Sequence, residues 1–287
     1  MRKRFFALFA TALLLLCGCN ADRPNVNIAA TTLPVYEFTE MLCQGTGLSV
    51  ARLVTENVSC LHDYTLNVRQ ARTAEAADLI ILSGAGLEVF MGELLEGKTV
   101  IDSSVGIPML ECHHEHNHGH HHEEDAHIWL SPDNALLMAE NICHGLKNQY
   151  PEYADTFSAN LETLLADIRA VTAYGETQLS QLSCRDLVTF HDGFGYLADA
   201  FDLTILRAIE EESGSEASAQ ELKELTLLVR AHNLPAIFTE KQGSGSAAGI
   251  IAAETGVKTY TLDMAMAGDS WFTAMYHNID TLKEALE

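Results

Sequence analysis

The fold is decided by residues 186–191, Asp186-Leu187-Val188-Thr189-Phe190-His191. Four apolar or β-branched residues follow one acidic residue and predict a short buried strand over 186–190, with His191 directly after its end. Further strands are predicted at 203–206, 236–239 and 258–262, and helical patterns separate them. Because strands that alternate with helices form parallel sheets, this half of the chain is expected to be an α/β lobe.

The first half of the chain repeats this alternation. Strands are predicted at 26–31, 78–83 and 98–102. Between the halves, residues 151–180 have apolar side chains at spacings of three and four, which predicts one long helix. The sequence therefore predicts an α/β fold with two lobes, each with a parallel sheet and flanking helices, joined by one long rigid helix.

Several helix ends carry clear sequence signals. Ser218 stands three residues before Glu221, which is the spacing of a capping box. A helix over 246–255 is expected to end at Gly256, a typical C-terminal glycine. Ser131 is the predicted N-cap of another helix, with Pro132 at its first position.

The N-terminus has the pattern of an export signal. Met1-Arg2-Lys3-Arg4 is cationic, and residues 5–17 form an apolar run of thirteen residues, too short to span a bilayer. The run ends in Leu16-Cys17-Gly18-Cys19, which resembles a bacterial lipobox with cleavage before Cys19. An ordinary secretion signal with incidental cysteines is the alternative. We expect an extracytoplasmic protein, lipid-anchored through Cys19 to the bacterial cell membrane or periplasmic.

These patterns together predict the domain organisation. The expected segments are a signal peptide at 1–18, a lipidated tether at 19–24, an N-terminal lobe at 25–148 with a His-rich loop at 111–125, a linking helix at 149–181 and a C-terminal lobe at 182–287.

Charge and cysteine content limit the possible partners. The chain has 40 acidic and 17 basic residues, for a net charge of −23, and removal of the signal would take away three basic residues. Such a surface repels nucleic acid and attracts cations, so no nucleic-acid partner is expected. Disulfide pairing is left open among five cysteines, of which the first two flank one short segment: Cys43, Cys60, Cys112, Cys143 and Cys184.

A histidine-rich run is the most visible candidate for metal binding. No apolar periodicity accompanies it, so a solvated loop is expected. Imidazole suits Zn, Cu and Ni, and the run is therefore interpreted as an auxiliary metal collector of low specificity. Its histidines are His113, His114, His116, His118, His120, His121 and His122.

Other candidate ligands lie on ordered elements. His191, Glu240 and Asp263 each stand at the end of a predicted strand of the second lobe, where open α/β sheets bind ligands. In the first lobe, His62 lies in a polar loop and His127 lies just before a predicted helix. Three further histidines, in helical patterns or near the end, are interpreted as structural: His144, His232 and His277.

Hydrolytic motifs are absent from the sequence. His122 and His127 are five residues apart, so they would not share one face of a helix as a zincin motif requires. Neither a Gly-x-Ser-x-Gly elbow nor a phosphate-binding loop occurs. An enzyme such as a zinc hydrolase is therefore not expected, while a metal-storing surface adhesin is a competing class.

Six segments together resemble one family, the zinc-binding substrate-binding lipoproteins of ABC importers, which belong to the zinc/manganese solute-binding group. The resemblance covers nearly all of the mature chain. The segments are Leu61-His62-Asp63-Tyr64, Ala77-Asp78-Leu79-Ile80, His127-Ile128-Trp129-Leu130-Ser131-Pro132, Phe190-His191-Asp192-Gly193-Phe194-Gly195-Tyr196, Ile237-Phe238-Thr239-Glu240 and Leu262-Asp263.

The resemblance implies a metal site in the cleft between the lobes, with Zn²⁺ as the bound ion. It implies that His62, His127 and His191 are ligands, and Asp263 matches the position where relatives supply a carboxylate. Manganese-binding relatives tend to have a carboxylate where His191 stands, since harder ions favour oxygen. A manganese-binding member of the same family is the alternative.

The fourth ligand is left open. Asp263 could bind the ion directly, contact one of its ligands instead, or yield to Glu240, to water or to a loop residue such as Glu115. Asp63 and Glu240 are expected partners for the ligand imidazoles. The resemblance also implies a cognate importer permease as partner, and the chain is expected to be a monomer.

Overall fold

The structure is a computed structural model that describes residues 26–56, 58, 61, 64–111, 124–210, 217–241, 243 and 245–287. Several predicted features lie outside the described residues: the signal peptide 1–18, the tether 19–24 with Cys19, His62 and Asp63, and the seven histidines of the 113–122 run.

Two four-stranded parallel sheets form the framework. The first has the order β2-β1-β3-β4 and the second the order β6-β5-β7-β8, so the strand order is the same in both. The strands are β1 (Ile28–Ala30), β2 (Val50–Arg52), β3 (Leu79–Leu82), β4 (Thr99–Asp102), β5 (Asp186–His191), β6 (Thr204–Glu210), β7 (Ala236–Glu240) and β8 (Lys258–Leu262).

Helices flank both sheets. In the described part of the chain they are α1 (Leu33–Leu42), α2 (Val68–Ala76), α3 (Pro132–Gln149), α4 (Ala154–Gln178), α5 (Gly195–Ala200), α6 (Ala219–His232), α7 (Ser246–Thr255) and α8 (Trp271–Leu286). Short 3-10 helices occur at Val89–Leu95, Ile128–Leu130 and Pro151–Tyr153. The flanking helices and the two parallel sheets together confirm the predicted α/β fold of two lobes.

The long helix α4 packs against both lobes. Its 25 residues extend over about 38 Å. One side buries Phe157, Leu164, Ile168 and Val171, and the helix contacts α1 and α3 on the first lobe and α8 on the second. The apolar spacing within 151–180 therefore predicted this helix correctly. Residues 151–153, the start of the predicted span, form a separate 3-10 turn before α4.

The predicted helix ends are confirmed by their hydrogen bonds. Ser218 and Glu221 form the reciprocal capping box of α6, and the Ser131 hydroxyl accepts from the backbone N–H of Asn134 at the start of α3. Gly256 ends α7 with φ of 78°, a left-handed conformation that glycine adopts without steric cost.

Some elements differ from the sequence prediction. Helix α1 begins at Leu33, and Pro34 is well suited to its first turn. Strand β6 extends to Glu210, and His191 is the last residue of β5 rather than the residue after it. Strand β2 and helix α8 were not predicted, since β2 has only three residues and α8 follows a loop without a strong sequence signal.

The described cysteines are free thiols. Cys43 and Cys143 are buried and Cys184 is partly exposed. Cys60 and Cys112 lie outside the described residues, so the pairing of Cys43 with Cys60 stays open. Within the described ranges, none of the helices has the length and apolar character needed to cross a membrane.

Candidate metal centre

Two histidines from different lobes face each other at the centre of the molecule. The Nε2 atoms of His127 and His191 are 3.5 Å apart, and their rings are nearly perpendicular, at 89°. Both side chains are almost fully buried, with residue exposures of 3% and 2%. Two imidazole nitrogens that share a tetrahedral Zn²⁺ at 2.0–2.1 Å are about 3.3 Å apart. The observed separation of the two Nε2 atoms is therefore close to the distance expected for two nitrogens bound to one zinc ion.

A carboxylate orients the ring of His127. Asp125 is buried, and its Oδ1 accepts from the backbone N–H of His127 at 2.9 Å and lies 2.8 Å from His127 Nδ1. An ionised carboxylate can only accept, so Nδ1 carries the proton and the lone pair of Nε2 is directed towards His191. Asp125 was not among the predicted site residues. In the sequence, the position of Asp125 two residues before the candidate ligand His127 is the signal that could have indicated this role.

Trp129 ties the His127 turn to the second lobe. Its ring packs edge-on against His127, with centroids 5.4 Å apart. Its indole N–H donates to the Met264 carbonyl at 2.8 Å, and the Trp271 indole donates to the Trp129 carbonyl at 2.9 Å. Both tryptophans are fully buried. These two bonds fix the segment after β8 beside the turn that carries His127.

Gly193 leaves room for the His191 ring. A Cβ atom at this position would lie 2.7 Å from His191 Cδ2, 2.8 Å from its Nε2 and 2.7 Å from Met264 Cε. Real Cβ atoms essentially never approach so closely. Glycine at position 193 therefore allows the His191 ring and the Met264 side chain to pack this closely.

The predicted carboxylates lie at the same sheet edge as His191. Glu240 ends β7, is buried, and has its Oε2 at 4.0 Å from His191 Nδ1. Asp263 follows β8, and its two oxygens accept from the Ala265 N–H at 2.9 Å and the Lys241 ammonium at 3.1 Å. The Asn278 side chain bonds both the N–H and the carbonyl of Asp263, each at 2.7 Å.

The structure thus brings together two of the predicted ligands. Among the residues it describes, there is no group of three His, Cys, Asp or Glu side chains placed to hold one ion. The predicted ligand His62 and its neighbour Asp63 lie outside this part of the chain. Coordination of a metal ion by His62, His127, His191 or Asp263 stays a prediction.

The His-rich segment begins and ends beside this centre. Glu111 and Glu124 form an antiparallel bridge, and the Asp125 N–H donates to the Leu110 carbonyl at 2.9 Å. Glu124 stands three residues before His127 in the chain, and the bridge places Glu111 beside it. The three histidines predicted to be structural lie elsewhere; His144 and His277 are exposed, and His232 pairs with Asp186 on the surface at 3.3 Å.

The two-lobe fold and the paired histidines define a metal-binding protein of the solute-binding type. A family model described as "Zinc-uptake complex component A periplasmic" matches residues 28–285, and the chain belongs to this family. The assignment confirms the resemblance seen in the sequence. It also agrees with the expected extracytoplasmic location and with a binding component rather than an enzyme.

Individual relatives agree with this assignment. The chain is 29% identical over 311 aligned residues to the zinc-binding lipoprotein AdcA of Streptococcus pneumoniae, covering all of this chain and 62% of AdcA. The chain thus spans less than two thirds of that relative. A crystal structure of ZnuA is 29% identical with a TM-score of 0.80, covering 91% of this chain and all of that one. At 22% identity, FpvC of Pseudomonas aeruginosa, solved in complex with Mn²⁺, shares the fold with a TM-score of 0.81, covering 91% of this chain and 98% of FpvC.

Proposed function

We propose that this protein captures Zn²⁺ outside the cytoplasm and delivers it to the permease of an ABC importer. The observation that carries the proposal is the 3.5 Å separation of the two buried Nε2 atoms of His127 and His191. Membership of a zinc-uptake family supports the transport role. A lipid anchor at Cys19 would keep the protein close to the importer.

The chemistry of the ligand pair favours zinc over manganese as the cargo. Both described donors are imidazole nitrogens, which suit borderline-soft ions, whereas Mn²⁺ prefers carboxylate and carbonyl oxygens. The neighbouring carboxylate Asp125 bonds an imidazole, so it orients a nitrogen ligand. In this proposal His62 supplies a third imidazole, and Asp263 or water completes a four-coordinate site.

The His-rich segment acts as a collector in the same proposal. The acidic surface and the histidines of 113–122 raise the local concentration of Zn²⁺, and Asp125 and His127 follow directly after that segment. Binding of the ion then holds the two lobes in the form that the permease recognises. Protonation of the imidazoles competes with the metal, so affinity is expected to fall as the pH is lowered.

Titration calorimetry of the mature protein tests this division of roles. Wild-type protein should show one tight Zn²⁺ site and additional weak sites. His191→Ala should lose the tight site, while the exposed histidine variant His277→Ala should keep it. Deletion of residues 113–122 should remove only weak sites, and loss of the tight site on this deletion would contradict the proposal.

Transport is distinguished from metal storage in cells. A strain without this protein should fail to grow under zinc limitation, and growth should return on addition of zinc. Normal zinc uptake in that strain would instead favour a storage or adhesin role.

A further inference from the structure

We propose that Lys241 is a specificity-determining residue that biases the metal site towards Zn²⁺ and against Mn²⁺ by competing for the carboxylate of Asp263. This inference rests on the proposed function, and within it on Asp263 as a ligand of the bound ion. Lys241 was not among the residues that the sequence singled out.

The sheet register places the two side chains next to each other. Strands β7 and β8 are parallel, with Glu240 opposite Leu262, and the Lys241 N–H continues the ladder by donating to the Leu262 carbonyl at 2.9 Å. Lys241 and Asp263 therefore leave the sheet side by side. The Lys241 ammonium lies 3.1 Å from Asp263 Oδ2.

Asp263 is the fixed member of this pair. Its side chain is 7% exposed, its other oxygen accepts from the Ala265 N–H, and Asn278 holds its backbone on both sides. Lys241 is the movable member, because its side chain is 59% exposed and can extend into solvent. A cation that coordinates Oδ2 must displace the ammonium or bind beside its positive charge.

This competition affects the two metals unequally. Zn²⁺ is bound well by imidazole nitrogens, whereas the ion pair of Lys241 is with a carboxylate. Mn²⁺ depends more on carboxylate oxygens and gains less from imidazole. A lysine on the carboxylate therefore weakens Mn²⁺ binding more than Zn²⁺ binding, which is a form of selection by an unfavourable interaction with the competing ion.

The test compares Zn²⁺ and Mn²⁺ affinities of the full mature protein, measured by competition with a chelator. Lys241→Met should tighten Mn²⁺ binding by about fivefold, the upper range for a partly exposed ion pair, and Zn²⁺ binding by less than about twofold. Lys241→Arg keeps the charge and should preserve the wild-type ratio of affinities. Lys258→Met removes the same charge from the opposite, exposed end of β8 and should also leave the ratio unchanged.

A double-mutant cycle shows whether the effect passes through Asp263. In an Asp263→Asn background, Lys241→Met should no longer change the ratio. An unchanged ratio in Lys241→Met, with folding confirmed by thermal unfolding, would overturn the inference and leave the proposed function intact. Absence of tight Zn²⁺ binding in the wild type would instead overturn the proposed function and the inference together.

Discussion

The two sheets have the same strand order, but the carboxyl ends of their strands carry different chemistry. In the first sheet, the residues that follow β1 and β3 are Thr31 and Ser83, and both bond a buried carboxyl group from the next turn. Glu88 Oε1 accepts from the Thr31 hydroxyl at 2.6 Å and the Ser83 N–H at 2.7 Å, and its Oε2 accepts from the Gly84 N–H at 3.0 Å. These polar groups at the carboxyl ends of the strands therefore form their hydrogen bonds within the first lobe.

The carboxyl ends of three strands of the second sheet carry candidate metal ligands. His191, Glu240 and Asp263 stand at the ends of β5, β7 and β8, which are neighbours in the sheet. The first lobe contributes His127 from a 3-10 turn instead. The strand ends of the first sheet are therefore held by hydrogen bonds within their own lobe, whereas those of the second sheet carry candidate ligands. In the proposed site, the two lobes supply their ligands from different kinds of segment.

The largest expected effect is the loss of either histidine. His127→Ala and His191→Ala should each weaken Zn²⁺ binding on the order of 1,000-fold, since even loss of a hydrogen-bond partner of a ligand costs about 10–100-fold. The double variant should be hardly weaker than either single variant, because in the proposed site the two side chains share one ion. Calorimetry measures this; two independent, additive losses would show that the histidines bind separate ions.

The buried Glu88 at the carboxyl ends of the first sheet's strands should make the stability of the protein depend on pH. Burial, more than the nearby charge of Asp102, raises the pKa of Glu88 to about 7 from an ordinary 4.5. The folded state therefore keeps this proton at pH values where the unfolded state releases it. The stabilisation is complete below about pH 4.5 and is lost as pH rises through about 7, a change on the order of 3 kcal/mol.

Glu88→Gln should remove this part of the pH dependence. Chemical denaturation of metal-free protein at several pH values gives the free energy of unfolding for the comparison. The exposed variant Glu75→Gln on the same lobe should keep the wild-type dependence. A wild-type pH dependence in Glu88→Gln would show that Glu88 is not protonated in the folded state near neutral pH.

Zn²⁺ binding at the carboxyl ends of the second sheet's strands should be sensitive to a single added methyl group. Gly193→Ala is expected to push the His191 ring or Met264 aside and to weaken Zn²⁺ binding about 10–100-fold. Gly249→Ala in α7, where a Cβ meets nothing within 4 Å, is the matched control and should bind normally. Wild-type affinity in Gly193→Ala would mean that the close packing around His191 does not shape the site.

The smallest expected effects compare the carboxylates beside the two histidines. Asp125→Asn should weaken Zn²⁺ binding about tenfold, because its carboxylate bonds His127 Nδ1 at 2.8 Å. Glu240→Gln should cost less, since Glu240 Oε2 lies 4.0 Å from His191 Nδ1. The affinities of the two variants rank the partners; a larger loss for Glu240→Gln would reverse this ranking and suggest that Glu240 contacts the ion.

Local patterns predicted much of the fold. The apolar run at the start of β5, the capping box of α6 and the spacing along α4 follow from hydrogen bonding and burial within one segment, so they are visible in the sequence. The position of His191 at a strand end likewise follows from the topology of a parallel sheet. These features depend on residues close together in the chain.

Other parts of the site depend on contacts between distant residues. The Trp129 indole bonds a carbonyl 135 positions away, and the pairing of Lys241 with Asp263 requires the register of β7 and β8. No local spacing shows these contacts. The short distance between His127 and His191 also depends on how the lobes pack, so the sequence could name both residues but not their separation.

X-ray absorption at the zinc edge tests the shared site most directly. The sample should be the 1:1 zinc complex of protein without residues 113–122, a deletion made possible by the bridge between Glu111 and Glu124. We predict at least two imidazole nitrogens at 2.0–2.1 Å from the zinc, with one fewer in His127→Ala and in His191→Ala. A zinc shell without imidazole, or one unchanged by both substitutions, would contradict the account.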